Sequence, residues 1–129
     1  MGITTPAALA TEKRLKAPVT VYYFHSAIRC ETCLQIEELT SAILAANFPE
    51  ELRNVQVYWR PLNVDRPENR HFTAEFKLSA KALVVARTES SGVTTWKTVD
   101  DAWSLINKPN LFEQRLHEVV AGMMDGGTP

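Results

Sequence analysis

The chain has 129 residues, 45% apolar and 22% charged, and 14 basic against 15 acidic side chains leave a formal net charge of −1. That length buries roughly two thirds of the unfolded surface in a single core without disulfide staples, which suits one ordinary domain. The balance of charge argues against nucleic acid and anionic membranes, both of which favour a basic excess, and no run approaches the ~18 apolar residues of a membrane helix, so a soluble chain with protein or small-molecule partners is expected.

Residues 1–17 hold no sustained period; Ala7-Ala8-Leu9-Ala10 with Glu12, Lys13 and Arg14 has the composition of a short helix. This segment is expected to be flexible or short-helical and to precede a domain over 18–125. It lacks the basic start and apolar centre of a secretory leader, although the Met-Gly start and the small residues Thr4 to Thr11 would also suit a chain trimmed of one. A cytoplasmic location is expected if the chain is complete, a periplasmic one if a leader was removed.

After Pro18, the run Val19-Thr20-Val21-Tyr22-Tyr23-Phe24 is β-branched and aromatic without polar alternation, which predicts a central strand buried on both faces of a mixed or parallel sheet. A loop from His25 to Arg29 leads to Cys30-Glu31-Thr32-Cys33. Cys33, Ile36, Leu39, Ile43 and Leu44 then recur at helical spacing, with Gln35, Glu37, Glu38 and Ser41 on the other face. Asn47-Phe48-Pro49 ends this helix, because proline cannot continue the backbone bonding and biases its predecessor away from helix.

A second strand is predicted from Val55-Gln56-Val57-Tyr58-Trp59 through Arg60-Pro61 to Leu62-Asn63-Val64-Asp65. Asp65 is spaced as an N-cap, with Pro67 in the first turn and Glu68 at the capping-box position, so a helix through Phe72 and Phe76 to Leu78 is expected. Ala82-Leu83-Val84-Val85-Ala86-Arg87 and Val93-Thr94-Thr95-Trp96-Lys97 flank the turn residues Glu89-Ser90-Ser91-Gly92, an antiparallel hairpin. Phe112, Leu116, Val119, Val120 and Met123 mark one face of a terminal helix after Pro109, ending near Gly126-Gly127. The order is that of an α/β protein whose parallel strands need a right-handed crossover.

Chemistry concentrates at the two cysteines. A bridge between residues three apart closes too short a loop to staple the fold. A cysteine at a helix N-terminus sees unpaired N–H groups and the positive end of the helix dipole, which favour thiolate. Cys30 is therefore the expected nucleophile. Cys33, about one turn on and turned inward, is the expected resolving thiol. Glu31 opposes thiolate formation and Arg29 favours it; with Thr32 they tune a middling or reducing couple and a modestly lowered Cys30 pKa. Two alternatives stay open. The cysteines are a half-site for a metal, with His25 the one histidine close enough to be a third ligand, or they are inert packing residues. His71 and His117 fall in predicted helices and are read as solvated or core-edge. Tyr22, Tyr23, Phe24, Phe72 and Phe76 are expected in the core. Trp59, Trp96 and Trp103 are candidates for a docking patch, Trp96 first.

From about Pro18 to Trp96, the strand, the Cys30-Glu31-Thr32-Cys33 dithiol, its helix, and Leu62-Asn63-Val64-Asp65 resemble thioredoxin. A narrower set is similar to a bacterial thioredoxin-like family labelled nitrophenyl-compound nitroreductase subunit: Val21-Tyr22-Tyr23-Phe24-His25-Ser26, Arg29-Cys30-Glu31-Thr32-Cys33, Ile36-Glu37, Trp96-Lys97 and Trp103. The resemblance implies a thioredoxin-like three-layer α/β/α sandwich, a mixed four- to five-stranded sheet flanked by helices, with Cys30 and Cys33 as nucleophilic and resolving cysteines. No dinucleotide fingerprint is present, so the expected redox group is the Cys30-Cys33 disulfide with no other cofactor. The chain departs from thioredoxin in two places. Tyr23 is nearest to the position of the buried aspartate, leaving water, Glu37 or His25 to accept the Cys33 proton. Ser79-Ala80-Lys81-Ala82-Leu83 has no counterpart of the cis-proline facing the dithiol. A non-proline cis bond costs ~2.5–4 kcal/mol, so Lys81-Ala82 is expected trans. Loss of that proline, whose ring shields the sulfurs from metals in the family, also favours the metal alternative. Lys81 stabilises thiolate if it points inward, although a solvated lysine is the expected case. Ala80, Lys81, Ala82 and Trp96 are the expected substrate-binding residues.

The leading expectation is a thiol–disulfide oxidoreductase or electron-transfer subunit, monomeric, acting on a protein disulfide or thiol. The alternatives are a dithiol protein binding zinc, copper or an arsenic-like soft species, and a redox-inactive interaction module. Direct reduction of nitroaromatics is not expected of this chain alone, because thiols without a flavin are poor multi-electron donors; an accessory role feeding electrons to a larger enzyme stays open.

Overall fold

The computed structural model describes residues 18–28, 30–78, 81–89, 92 and 94–125. Strand β1, Val19–His25, lies inside the sheet because both its faces are apolar or aromatic. It pairs in parallel with β2, Val57–Asn63, from Val19↔Val57 to His25↔Asn63. On its other side it pairs antiparallel with β3, Ala82–Thr88, from Val19↔Arg87 to Phe24↔Ala82. β4, Thr94–Thr98, closes the hairpin on β3. Among the described residues the sheet has four strands in the order β2-β1-β3-β4.

The parallel pair needs a crossover, supplied by α1, Glu31–Asn47, and the short α2, Pro49–Arg53. Pro49 stops the first helix and occupies the first turn of the second, as its fixed φ and missing N–H require. α1 and the terminal helix α5, Pro109–Met124, cover one sheet face. Val19, Val21 and Tyr23 of β1 and Leu83 and Val85 of β3 meet Cys33, Ile36, Leu44, Phe112, Leu116 and Val120 there. The alternate strand positions Tyr22, Phe24, Ala82, Val84 and Ala86 face the opposite way, against Phe72, Phe76 and Trp96. Ring centroids of Phe24 and Phe72 stand 5.3 Å apart and those of Phe76 and Trp96 5.4 Å apart. The result is a mixed sheet with helices on both faces.

The structure departs from the expected elements in several places. β2 starts at Val57, two residues late, because Val55 has φ 51° and cannot lie in a strand, and it ends at Asn63, two residues short of Asp65, where the chain turns. The helix predicted from Asp65 to Leu78 is instead a 3₁₀ turn, Pro67–Asn69, followed by the five-residue α3, His71–Glu75. Asp65 caps neither: Arg66 and Arg70 occupy the cap positions without a side-chain bond, and Glu68 closes no capping box. An unforeseen helix, α4, Ala102–Leu105, precedes α5; at four residues it is too short to show a period.

Candidate functional site

The site forms where β1 runs out. Val64 N–H donates to the His25 carbonyl (2.8 Å), extending the β1–β2 pairing one step, after which the chain turns toward α1. Ser26 Oγ donates to the Ile28 carbonyl (2.7 Å), and Ala27 N–H donates to Asp65 Oδ2 (2.8 Å), which ties this turn to the end of β2. Asp65 N–H in turn donates to Asn63 Oδ1 at 2.9 Å. Asp65, read from the sequence as a helix cap, thus grips the loop ahead of the dithiol; this residue was missed because its partner is 38 positions away.

Cys30 is the N-cap of α1, with extended backbone (φ −89°, ψ 164°), and Cys33 N–H donates to its Sγ at 3.1 Å. Its carbonyl accepts from Leu34 N–H (3.0 Å), the first turn of the helix. Sulfur therefore takes the place of the oxygen that a serine or aspartate cap would aim at these donors. Cys30 and Cys33 are joined as a disulfide across a Cα separation of 5.0 Å. The two are unequally placed: Cys30 is exposed, whereas Cys33 is 1% exposed and belongs to the core under the sheet.

Lys81 completes the cluster. It immediately precedes β3, and since Ala82 pairs with Phe24 at the end of β1, the register brings Lys81 to the mouth of the loop. Its Nζ lies 3.3 Å from Cys33 Sγ and 3.8 Å from Cys30 Sγ. The residue is exposed overall, yet its ammonium rests on the sulfurs and not in open solvent as expected. The Lys81-Ala82 peptide is trans.

The remaining sequence-predicted residues are distributed as follows. Tyr23 is fully buried, its ring centroid 5.9 Å from that of His25 and 6.2 Å from that of Trp103. His25 is buried and its Nδ1–H donates to the Ser26 carbonyl at 2.9 Å. Glu31 is exposed in the first turn of α1 and Thr32 is half-buried beside it. Ala82 is buried in the β3 start, on the face that packs against Phe72 and Phe76. Trp96 is half-buried in that same cluster. Arg29 and Ala80 lie outside the described residues. Among the described residues no three His, Cys, Asp or Glu side chains gather as a metal site requires, His25 with the two cysteines included. Ile28, 85% exposed, and Leu34, 44% exposed, stand in sequence on either side of the dithiol.

An exposed cysteine of a disulfide at a helix N-terminus, with a buried partner and an ammonium beside both sulfurs, is equipped for thiol–disulfide exchange: access at one cysteine, and stabilisation for negative charge released at the other.

No protein-family profile and no curated protein matches the chain. Among solved structures it is similar to thioredoxin from Trypanosoma brucei brucei, at 19% identity over 92% of this chain and 86% of that one, with a TM-score of 0.49. It is similar to a thioredoxin from Thermus thermophilus at 21% identity, over 73% of this chain and 67% of that one, TM-score 0.38. Chloroplastic thioredoxin z is 12% identical over 83% of this chain and 89% of that one, TM-score 0.41. By its own sheet order, antiparallel terminal hairpin, helices on both faces and dithiol opening the helix after β1, the chain has a thioredoxin-like α/β fold built around a Cys30–Cys33 disulfide.

Proposed function

We propose that the chain is a thiol–disulfide oxidoreductase, complete as a monomer, that exchanges two electrons with a protein thiol or disulfide, with Cys30 as nucleophile and Cys33 as resolving thiol. The observation that carries this is the unequal exposure of the two joined cysteines, Cys30 at the surface and Cys33 in the core. Of the two cysteines, the exposed Cys30 is the one open to a partner disulfide. Its thiolate, favoured by the N–H groups of α1, attacks and forms a mixed disulfide; Cys33 then attacks Cys30 Sγ, closes the internal bridge and releases the partner's thiol. The reverse sequence oxidises a partner dithiol. The resemblance to the nitroreductase-subunit family would make that partner a larger redox enzyme, with this chain as its electron carrier.

The test is a titration of free thiol across a graded glutathione redox buffer on wild type, Cys30→Ser and Cys33→Ser, with metal analysis of the same samples. One reversible two-electron transition in wild type, lost in both variants, is expected. Cys33→Ser is also expected to trap a mixed disulfide that Cys30→Ser does not form. Thiols that never bridge, or that stay blocked by stoichiometric metal, would overturn the reading.

A further inference from the structure

We infer that Lys81 is the counter-charge of the Cys33 thiolate, a catalytic group that stabilises the reduced site and shifts the couple toward the oxidising side. The inference deepens the exchange reading above and rests on it.

Nucleophilic attack on the disulfide from outside falls on the exposed Cys30. When a partner thiolate attacks Cys30 Sγ, a bond forms between the partner's sulfur and Cys30, the Cys30–Cys33 bond breaks, and its electron pair stays on Cys33 as thiolate. A second partner thiolate then attacks the partner's own sulfur in the mixed disulfide, and Cys30 departs as thiolate. The partner leaves oxidised by two electrons, the dithiol is reduced by two, and the partner's two protons pass to solvent or to the new thiolates.

The charge released in the first step appears on a side chain that is 1% exposed, packed in the core with Tyr23, Ile36 and Leu83. An unpaired thiolate there would be strongly disfavoured by desolvation. Lys81 Nζ stands 3.3 Å from that sulfur, nearer than to Cys30 Sγ at 3.8 Å. The ammonium is indifferent to a neutral disulfide and attracts a thiolate, so its interaction is with the reduced form alone. A differential interaction of that kind moves the equilibrium toward reduction, which makes the disulfide the stronger oxidant. The same ion pair keeps Cys33 nucleophilic for the return step, a task for which Tyr23 offers no carboxylate.

Other titratable groups on the adjoining elements include Tyr23 and His25 on β1, Glu31, Glu37 and Glu38 on α1 and Asp65 beyond β2. All are retained in the variants below, so a difference between variants belongs to Lys81.

Lys81→Met and Lys81→Arg are compared with wild type as full chains. The midpoint is measured against glutathione, and the ultraviolet absorbance of the Cys33 thiolate is followed against pH in a Cys30→Ser background. Measured above the pH at which the Cys33 thiolate forms in both proteins, Lys81→Met is expected to lower the equilibrium constant for reduction about tenfold, about 30 mV for a two-electron couple. It is also expected to move thiolate formation at Cys33 to higher pH by about one unit; Lys81→Arg restores both. If Lys81→Met matches wild type in midpoint and pH profile while wild type still bridges reversibly, the assignment of Lys81 fails and the exchange reading stands. If wild type never bridges, both fail.

Discussion

At the scale of single residues, Asp65 shows how a side chain outside the motif fixes the motif's position. Asp65 followed by Pro67 and Glu68 has the spacing of a helix start, but the chain makes only one 3₁₀ turn there, and the freed carboxylate accepts the Ala27 N–H instead. The sequence carries no sign of this, because a cap and a long-range acceptor need the same residue type and differ only in what the fold brings near. Lys81 was legible as a neighbour of the site but not in its orientation, since a lysine stem directs its charge to water or to sulfur at equal covalent cost. Replacing Asp65 by Ala removes an exposed, charge-assisted bond, with an expected loss of about 1 kcal/mol in urea unfolding. Hydrogen exchange at the Ala27 amide should accelerate, while Asp65→Asn, which keeps an acceptor oxygen, should retain much of the protection. An Ala27 amide equally protected in Asp65→Ala would show that the carboxylate does not hold this loop.

At the scale of elements, periodicity identified the long pieces and failed on the short ones. β1, α1, the β3–β4 hairpin and α5 follow the predicted runs because each presents an apolar face long enough to be counted. α4 and the 3₁₀–α3 region do not, since four or five residues complete barely one turn. The anchoring of α5 was equally hidden. Its last turn contains no basic residue, and its end is met instead by Arg87 of β3, whose Nη1 donates to the carbonyls of Met123 (2.7 Å) and Met124 (3.0 Å). Arg87 is 5% exposed and is also paired with Glu89. A guanidinium delivered from the sheet thus satisfies orphan carbonyls and complements the negative end of the helix. Arg87→Met should cost about 3 kcal/mol in urea unfolding, because it strands buried acceptors and removes a partly buried ion pair. The redox midpoint should not move, as the substitution touches neither sulfur nor Lys81. A loss below about 0.5 kcal/mol would show that water replaces the guanidinium without penalty.

For the whole molecule, the α/β class and the dithiol at a helix start were readable because both depend on local pattern. What decides the chemistry depends on contacts across the chain: Lys81 reaches Cys33 from 48 residues away. That distance couples the redox state to folding. In the unfolded chain Lys81 is not held against Cys33, so the stabilisation of the thiolate exists only in the native state. The disulfide itself adds little by constraining the unfolded chain, because it joins residues three apart. In a thermodynamic cycle linking folding to reduction, any bias toward the reduced form in the native state must reappear as extra stability of the reduced protein. Above the pH at which the Cys33 thiolate forms, the unfolding free energy of the reduced chain minus that of the oxidised chain should therefore be larger in wild type than in Lys81→Met. The tenfold shift expected in the couple corresponds to about 1.4 kcal/mol in that difference. Urea unfolding of both proteins in both redox states measures it. An identical difference in the two proteins would mean that the ammonium lies beside the sulfurs without favouring either redox form, since a contact that contributes nothing to the folded cycle cannot contribute to the couple.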